Sequence, residues 1–252
     1  MTLMITKIYL KETLRNFGAL IGTLLPAIMF FVISIFIKNA ASVGTETLDL
    51  MIRGQFLTTC ILFTIFSVAF SGGTVYLTDK RSERVFEWLD KTNIKFYEYF
   101  IGLGLGILII LNIFLTIILL AFSTITTLEL VDIGKILLIS NFTFIALYPI
   151  NYVLSSLFPN GKTATSMLVP LMLILLFSVT MTDLFVSLSG NDPQNYYKFL
   201  IWNPMLFLND TLHYILGLAE SPWLELTNYL LILLALFILL FIISKKTFRY
   251  LK

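Results

Sequence analysis

Residues with reactive side chains are scarce in this chain of 252 residues, which contains one histidine, His213, and one cysteine, Cys60. A single cysteine cannot form an internal disulfide or a cysteine metal cage, and a single histidine rules out multi-histidine catalysis. Asp210 precedes His213 by one helical turn, a spacing that polar residues on a helix surface explain. We therefore expect no catalytic residue and no metal site in this chain.

A short stretch resembles the end of a phosphate-binding loop, because Asn160, Gly161, Lys162 and Thr163 read NGKT. The complete loop pattern requires Gly at the position of Ser156, and it requires a preceding strand. Here an apolar run of membrane-spanning length precedes NGKT, so we interpret it as a turn with one basic residue. The chain is expected to have no ATP site of its own.

Charged residues surround an aromatic residue in segment 79–95, which reads DKRSERVFEWLDKTNIK. Helical spacing places Val85, Trp88 and Leu89 on one face. Basic and acidic residues nearly balance, which anionic lipid would not select, whereas mixed charge around Trp88 suits a protein partner. The sequence predicts a helix over about 79–93. A helix resting on the inner leaflet remains the alternative.

The overall composition is that of a polytopic membrane protein. Hydrophobic residues make up 58% of the chain and charged residues 13%, whereas soluble domains have about 45–50% apolar and about 25% charged residues. A net charge of +2 provides no basic field for nucleic acid, so no nucleic-acid partner is expected. A soluble enzyme and a disordered chain are also excluded.

Six uncharged runs have the length that a helix needs to cross a bilayer, about 20 residues. They lie near residues 18–37, 55–77, 99–122, 136–157, 164–182 and 226–243. Ion-coupled carriers and intramembrane hydrolases place ionisable residues within their spans, and these runs contain none. If the protein moves a substrate, the energy is expected to come from another chain.

The distribution of basic residues predicts the orientation of the six spans. Thirteen of the 17 Lys and Arg residues fall on the side that holds both termini. The positive-inside rule therefore places both termini in the cytoplasm. Between the fifth and sixth spans, residues 183–225 are expected to form short helices at the outer face. Residues 1–17 are expected to form an amphipathic interfacial helix, whose Lys7, Lys11 and Arg15 suit the anionic inner leaflet.

Uncharged polar residues and small residues also occur within the runs. Thr58, Thr59, Asn112 and Asn151 are candidates for lining a pathway, with hydrogen bonding between helices as the alternative. Gly102 and Gly106 form a GxxxG pair, which predicts close helix packing.

The whole arrangement resembles the ABC-2 type permeases. Six spans, cytoplasmic termini, an amphipathic first helix and a charged helix after the second span are typical of that family, as is a stretch like R-E-x-G-T-x-E-x-L-x-x-T-P. The residues that match it in register are Arg81, Glu87, Leu89 and Thr92. The departures are Ser82 in place of Glu, with Glu83 one place later, Arg84 in place of Gly, Val85 in place of Thr, and Asn93 in place of Pro.

The resemblance implies a mechanism and partners. The segment after the second span would be a coupling helix that contacts a separate ATP-binding subunit, which would hold ATP and Mg²⁺. The residues implied in this contact are Arg81, Glu83, Arg84, Glu87 and Trp88. Two permease chains, identical or sister chains, would form the pathway in a bacterial cell membrane.

The cargo implied is a hydrophobic or amphipathic molecule, such as a drug or an antimicrobial or toxin peptide, moved outwards. The alternative cargo is a lipid-linked polysaccharide or teichoic acid. A non-transporting immunity or sensor protein is the alternative from another class.

Overall fold

The computed structural model describes residues 1–40, 45–92 and 94–248, and all regular structure in these residues is helical. The α-helices are α1 (Thr2–Arg15), α2 (Phe17–Ala40), α3 (Thr45–Met51), α4 (Thr58–Thr64), α5 (Gly73–Ser82), α6 (Val85–Lys91), α7 (Phe96–Ser123), α8 (Leu130–Leu147), α9 (Ile150–Leu157), α10 (Gly161–Leu188), α11 (Met205–Ile215) and α12 (Leu226–Phe248).

Five helical stretches are long and apolar enough to cross a membrane. They are Leu48–Ser82, Phe96–Ser123, Leu130–Leu147, Gly161–Leu188 and Leu226–Phe248. The first predicted span, 18–37, lies within α2, which includes the apolar stretch Leu24–Asn39 among its described side chains. The prediction of an all-helical, multi-pass membrane protein is confirmed with five candidate spans.

The stretch Leu48–Ser82, here called the central helix, runs through the middle of the bundle. Buried residues make up 78% of its most apolar window, against 11% for α12. A helix that is apolar on all sides is typically buried, and here the other helices of the bundle surround it. Two π-helical segments, Ile52–Leu57 and Ile65–Gly72, interrupt its α-helical geometry. Such segments are frequent at functional sites.

Helix α1 packs on a glycine groove of α7. A Cβ atom added to Gly102 would lie 2.7 Å from the carbonyl oxygen of Thr2, and one added to Gly106 would lie 2.5 Å from Cδ1 of Tyr9. The Thr6 hydroxyl donates a hydrogen bond to the Gly102 carbonyl at 2.8 Å. The predicted helix contact at Gly102 and Gly106 is therefore confirmed, and α1 is the helix that occupies the groove.

The fourth predicted span, 136–157, is two helices rather than one. Helix α8 begins earlier, at Leu130, and ends at Leu147, and α9 follows at Ile150. Proline has no N–H to donate and its ring clashes with the preceding turn, so Pro149 accounts for the break. Pro26 and Pro170 lie inside helices that continue through them.

The helix predicted over 79–93 is also divided. The central helix continues to Ser82, and α6 covers only Val85–Lys91. Arg84 lies between them with φ 57°, a left-handed conformation that cannot extend a right-handed helix. The predicted stretch includes Asn93, which lies outside the described residues.

The bundle has two chemically different ends. The basic end contains α1, α6 and the turn between α9 and α10. The opposite end contains a 3₁₀ helix, Pro193–Phe199, and α11. Residues Met205 to Leu212 of α11 are all buried, because this helix packs against α8, α10 and the central helix. It is a packed part of the bundle rather than a helix lying freely on a surface.

Candidate functional site

A cavity of about 680 Å³ lies towards the basic end, between α1, α2, the central helix and α10. Its apolar wall includes Phe66 and Val68 of the central helix and Leu168 and Met172 of α10. Proline 26 of α2 lines the same space. Four helices thus contribute to one concave, mainly apolar surface, the kind of surface that binds small molecules.

The mouth of the cavity is charged. Glu12, Lys80 and Glu83 line it, and Nζ of Lys80 lies 3.2 Å from the Glu12 carboxylate and 3.4 Å from that of Glu83. Tyr9 and Tyr76 form the neighbouring wall, with ring centroids 4.9 Å apart in an edge-on arrangement. Burial raises the pKa of Tyr9 to about 12, so its hydroxyl stays neutral.

The second π-helical segment supplies polar groups to this cavity. Ser67 and Ser71 lie on Ile65–Gly72 and line the cavity. A π-helical turn widens the helix and rotates the residues that follow it relative to an α-helix. The cavity therefore combines an apolar wall, a few hydroxyl groups and a charged mouth. This arrangement can bind an amphipathic molecule, and its residue types supply no activated nucleophile.

Hydrogen bonds join the C-terminal end of the central helix to the start of α10. The N–H of Gly161 donates to Oδ1 of Asp79 at 2.9 Å, and the Arg81 guanidinium donates to the Phe158 carbonyl. The Asn160 side chain accepts a hydrogen bond from the N–H of Thr163 at 2.9 Å and so caps α10. The NGKT turn therefore connects two helices, whereas a phosphate loop connects a strand to a helix.

Helix α6 contacts the rest of the protein through Phe86. This ring is buried and lies 5.5 Å from the ring of Tyr99 in α7 and 5.4 Å from that of Phe248 in α12. A force on α6 would reach the ends of two spanning helices through Phe86. From the sequence, Phe86 was placed only beside the apolar face of this helix. Val85, Trp88 and Leu89 have the i, i+3 and i+4 spacing that defines one helical face, and Phe86 does not belong to that set.

The residues predicted to contact another subunit occupy different environments. Glu83, Arg84 and Glu87 are exposed, and Nε of Arg84 lies 3.9 Å from the Glu87 carboxylate. Arg81 is instead half-buried and bonded within the chain. Trp88 belongs to α6, but its side chain lies outside the described residues. Glu83, Arg84 and Glu87 therefore form an exposed charged group at the basic end, here called the tip.

The four candidate pathway residues do not line the cavity. Thr58 and Thr59 are fully buried in the bundle, and Thr58 donates to the Arg53 carbonyl at 3.1 Å. Asn112 of α7 and Asn141 of α8 exchange two hydrogen bonds, at 2.8 and 3.0 Å.

Asn151, also fully buried, donates to the Ala69 carbonyl at 2.8 Å and accepts from Thr74 at 3.1 Å. Asn112 and Asn151 thus bond to neighbouring helices, whereas the Thr58 bond stays within the central helix and the Thr59 hydroxyl has no hydrogen-bond partner among the described residues. A role of the four residues in a pathway stays a prediction.

The basic residues of α1 point away from α7. Lys7, Lys11 and Arg15 are exposed, and so are Leu3 and Leu14 beside them. The buried face consists of Ile5, Thr6 and Tyr9. The exposed face of α1 thus carries both basic and apolar side chains, as an amphipathic helix at a lipid surface would.

These features define a multi-pass helical membrane protein with a binding cavity between its helices. The family model described as ABC-2 family transporter protein matches residues 51–245, and the chain belongs to this family. No curated protein sequence matches the chain. Members of the family are transmembrane subunits that normally work with an ATP-binding cassette subunit. The matched residues include most of the central helix, the segment after it and α10, which together form much of the cavity and the exposed tip.

Proposed function

We propose that the chain is the permease subunit of an ATP-driven exporter in a bacterial cell membrane. A separate ATP-binding subunit would bind ATP and Mg²⁺, and a second permease chain would complete the pathway. The observation that carries the proposal is the cavity beside the exposed tip of α6, in a chain that belongs to the ABC-2 transporter family. In this account α2 also crosses the membrane as the first span, which brings the total to six, and both termini are cytoplasmic.

The contacts of the tip support a route for coupling. Movement of α6 would displace α7 and α12 through Phe86. The same movement would reach α10 through the bonds of Asp79 and Arg81 to the turn before it. Because α10 and the central helix both line the cavity, a relative shift of these helices would change its shape.

The chemistry of the cavity favours a hydrophobic or amphipathic cargo. An apolar wall between helices gives access to molecules from the lipid leaflet, while the charges of Glu12, Lys80 and Glu83 would orient a polar group at the mouth. A drug-like molecule or an amphipathic peptide has this character. Transport assays with such a peptide and with a lipid-linked polysaccharide would separate the two cargo classes.

A charge reversal at Glu87 tests the coupling role. Glu87→Arg would remove the acidic partner of Arg84 and place two exposed basic side chains together at the proposed contact, which would oppose a partner surface that complements Glu87. We expect lower co-purification of the ATP-binding subunit and lower substrate-stimulated ATP turnover. Asp132→Arg is a matched control, because Asp132 pairs with Lys135 at i, i+3 at the other end of the bundle. Unchanged co-purification and turnover in Glu87→Arg would reject this role.

A further inference from the structure

The charged groups at the mouth of the cavity are unequal in number. Among the described residues that line the cavity, Glu12, Asp79 and Glu83 are acidic, and Lys80 alone is basic. The basic residues of α1 are exposed and do not line the cavity, so solvent weakens their effect on it. The mouth therefore keeps an excess of negative charge, which attracts a cation and repels an anion.

The position of Lys80 shows how the mouth holds a positive group. Its Nζ atom lies 3.2 Å from the Glu12 carboxylate and 3.4 Å from that of Glu83. The same atom lies 5.3 Å from the centre of the Tyr76 ring. Carboxylates and the face of an aromatic ring are the partners that ammonium groups find in proteins. A bound cation would meet the same kinds of group.

The internal cation does not use up these partners. The Lys80 side chain is 19% exposed, whereas those of Glu12 and Glu83 are 42% and 59% exposed. Both carboxylates thus keep solvent-facing surface that a second cation can contact. The Asp79 carboxylate accepts a hydrogen bond from an uncharged donor, the N–H of Gly161, at 2.9 Å. That bond holds the side chain in place without cancelling its charge.

The apolar wall fits the rest of such a molecule. Phe66 and Val68 of the central helix and Leu168 and Met172 of α10 form it. The unbranched side chain of Met172 can adapt to bodies of different shape. The cavity volume of about 680 Å³ lies within the range of small-molecule sites, about 300–1,000 Å³. The occupant that fits is therefore a drug-sized molecule with one apolar part and one cationic part.

We infer that the cargo of this cavity is a drug-sized cationic amphiphile. Its positive group binds beside Glu12 and Glu83, and its apolar body packs against the central helix and α10. The inference rests on the proposed function, because it names the chemical class moved through the same site. Hydrophobic amines, quaternary ammonium compounds and phosphonium compounds belong to this class. The phosphate groups of a teichoic acid or of a lipid-linked polysaccharide would meet the carboxylates as like charges.

Binding of tetraphenylphosphonium tests the charge preference. The full chain is purified into lipid nanodiscs, and equilibrium binding of the radiolabelled cation is measured, with binding to empty nanodiscs subtracted. Unlabelled cation and neutral triphenylphosphine oxide are compared as competitors. We expect saturable binding and competition by the neutral compound that is weaker by about 2- to 30-fold, because it lacks attraction to two exposed carboxylates. Equal competition by both compounds, or no saturable binding, would overturn the inference.

Neutral variants of the two glutamates test where the cation binds. Glu12→Gln and Glu83→Gln each remove the charge of an exposed carboxylate and should weaken binding by about 1.4- to 5-fold. The double variant should weaken it by about 2- to 30-fold. Glu87→Gln is the matched control, because Glu87 is exposed at the same end but does not line the cavity. Wild-type affinity in the double variant would contradict the inference.

Lys80→Gln should change the affinity in the opposite direction. The variant removes the basic group that competes for the carboxylates, so tetraphenylphosphonium should bind about 1.4- to 5-fold more tightly. A purely structural role of Lys80 predicts no such gain, because the variant only loses contacts. Lys162→Gln is the matched control, since Lys162 is exposed and does not line the cavity. Unchanged or lower affinity in Lys80→Gln would contradict the inference.

These binding assays use the chain without an ATP-binding subunit, so two kinds of failure are distinguished. Loss of the charge preference in a chain that still co-purifies with an ATP-binding subunit would remove only the cationic cargo. Absence of that subunit from the purified chain would instead remove the proposed function. The inference is supported when the cation binds with the expected order of affinity, Lys80→Gln above wild type and wild type above the double glutamate variant.

Discussion

The groove that holds α1 gives the sharpest test of the packing. In Gly102→Ala, the new Cβ would lie 2.7 Å from the Thr2 carbonyl oxygen and 2.8 Å from Cβ of Ile5. Normal contact begins at 3.4 Å, so α1 would have to retreat by about 0.7 Å. The same retreat would lengthen the bond from Thr6 to the Gly102 carbonyl from 2.8 Å to about 3.5 Å.

The size of the effect follows from two terms. Overpacking of a well-packed contact costs about 1–3 kcal/mol, and the weakened hydrogen bond costs about 1 kcal/mol. Together they give about 2–4 kcal/mol, which raises the undocked fraction of α1 by about 30- to 700-fold. The helix propensity gained by replacing glycine acts on α7 whether α1 is docked or not, so it leaves this ratio unchanged.

Limited proteolysis measures the docking. Trypsin should cleave after the exposed Lys7 and Lys11 only when α1 undocks, and cleavage should rise in proportion to the undocked fraction. Gly134→Ala is the matched control, because a Cβ there meets no atom within 4 Å. Equal cleavage rates for Gly102→Ala and the wild type would refute the tight groove.

Three further outcomes are expected. Asp79→Ala removes the acceptor for the Gly161 N–H and should cost about 1–3 kcal/mol of stability. Asp79→Asn keeps an acceptor oxygen and should cost less. Thermal unfolding of both variants measures the difference. Burial raises the pKa of Asp210 to about 6, against about 3.9 unfolded, so its contribution favours folding below about pH 4 and is lost as pH rises to about 6. Asp210→Asn should flatten that part of the stability curve, and an unchanged slope would count against the assignment. Replacing either Asn112 or Asn141 by Leu leaves its partner unpaired and should cost about 0.6–2 kcal/mol, while the double variant should cost less than the sum of the two.

Composition and run length were sufficient to predict the class of fold. Six uncharged runs in a chain of 13% charged residues leave few alternatives to a helical membrane protein. Four of those runs lie within stretches long enough to span, and the run 136–157 overlaps the fifth such stretch, Leu130–Leu147. The GxxxG pair correctly indicated close packing, because only glycine admits a backbone at 2.7 Å. The identity of the packed helix did not follow, since the residues of α1 that face the groove, Ile5, Thr6 and Tyr9, form no distinct apolar pattern in the sequence.

Local backbone changes were harder to predict. The left-handed Arg84 and the π-helical segments of the central helix depend on tertiary contacts and leave no period in the sequence. The cavity is formed by four helices that are distant in sequence, so no spacing rule could bring Tyr9 to Tyr76. Asn112 and Asn151 were identified as polar from the sequence, but their hydrogen bonds to neighbouring helices became clear only from their partners.

The partner of this chain is the most direct test of its proposed role. A tagged chain is purified from its native host in mild detergent, and the bound proteins are identified and quantified by mass spectrometry. The account predicts an ATP-binding subunit in about equal amount, together with a second permease chain or a second copy of this one. Recovery of the chain alone in several detergents would contradict the permease account and favour a non-transporting membrane protein.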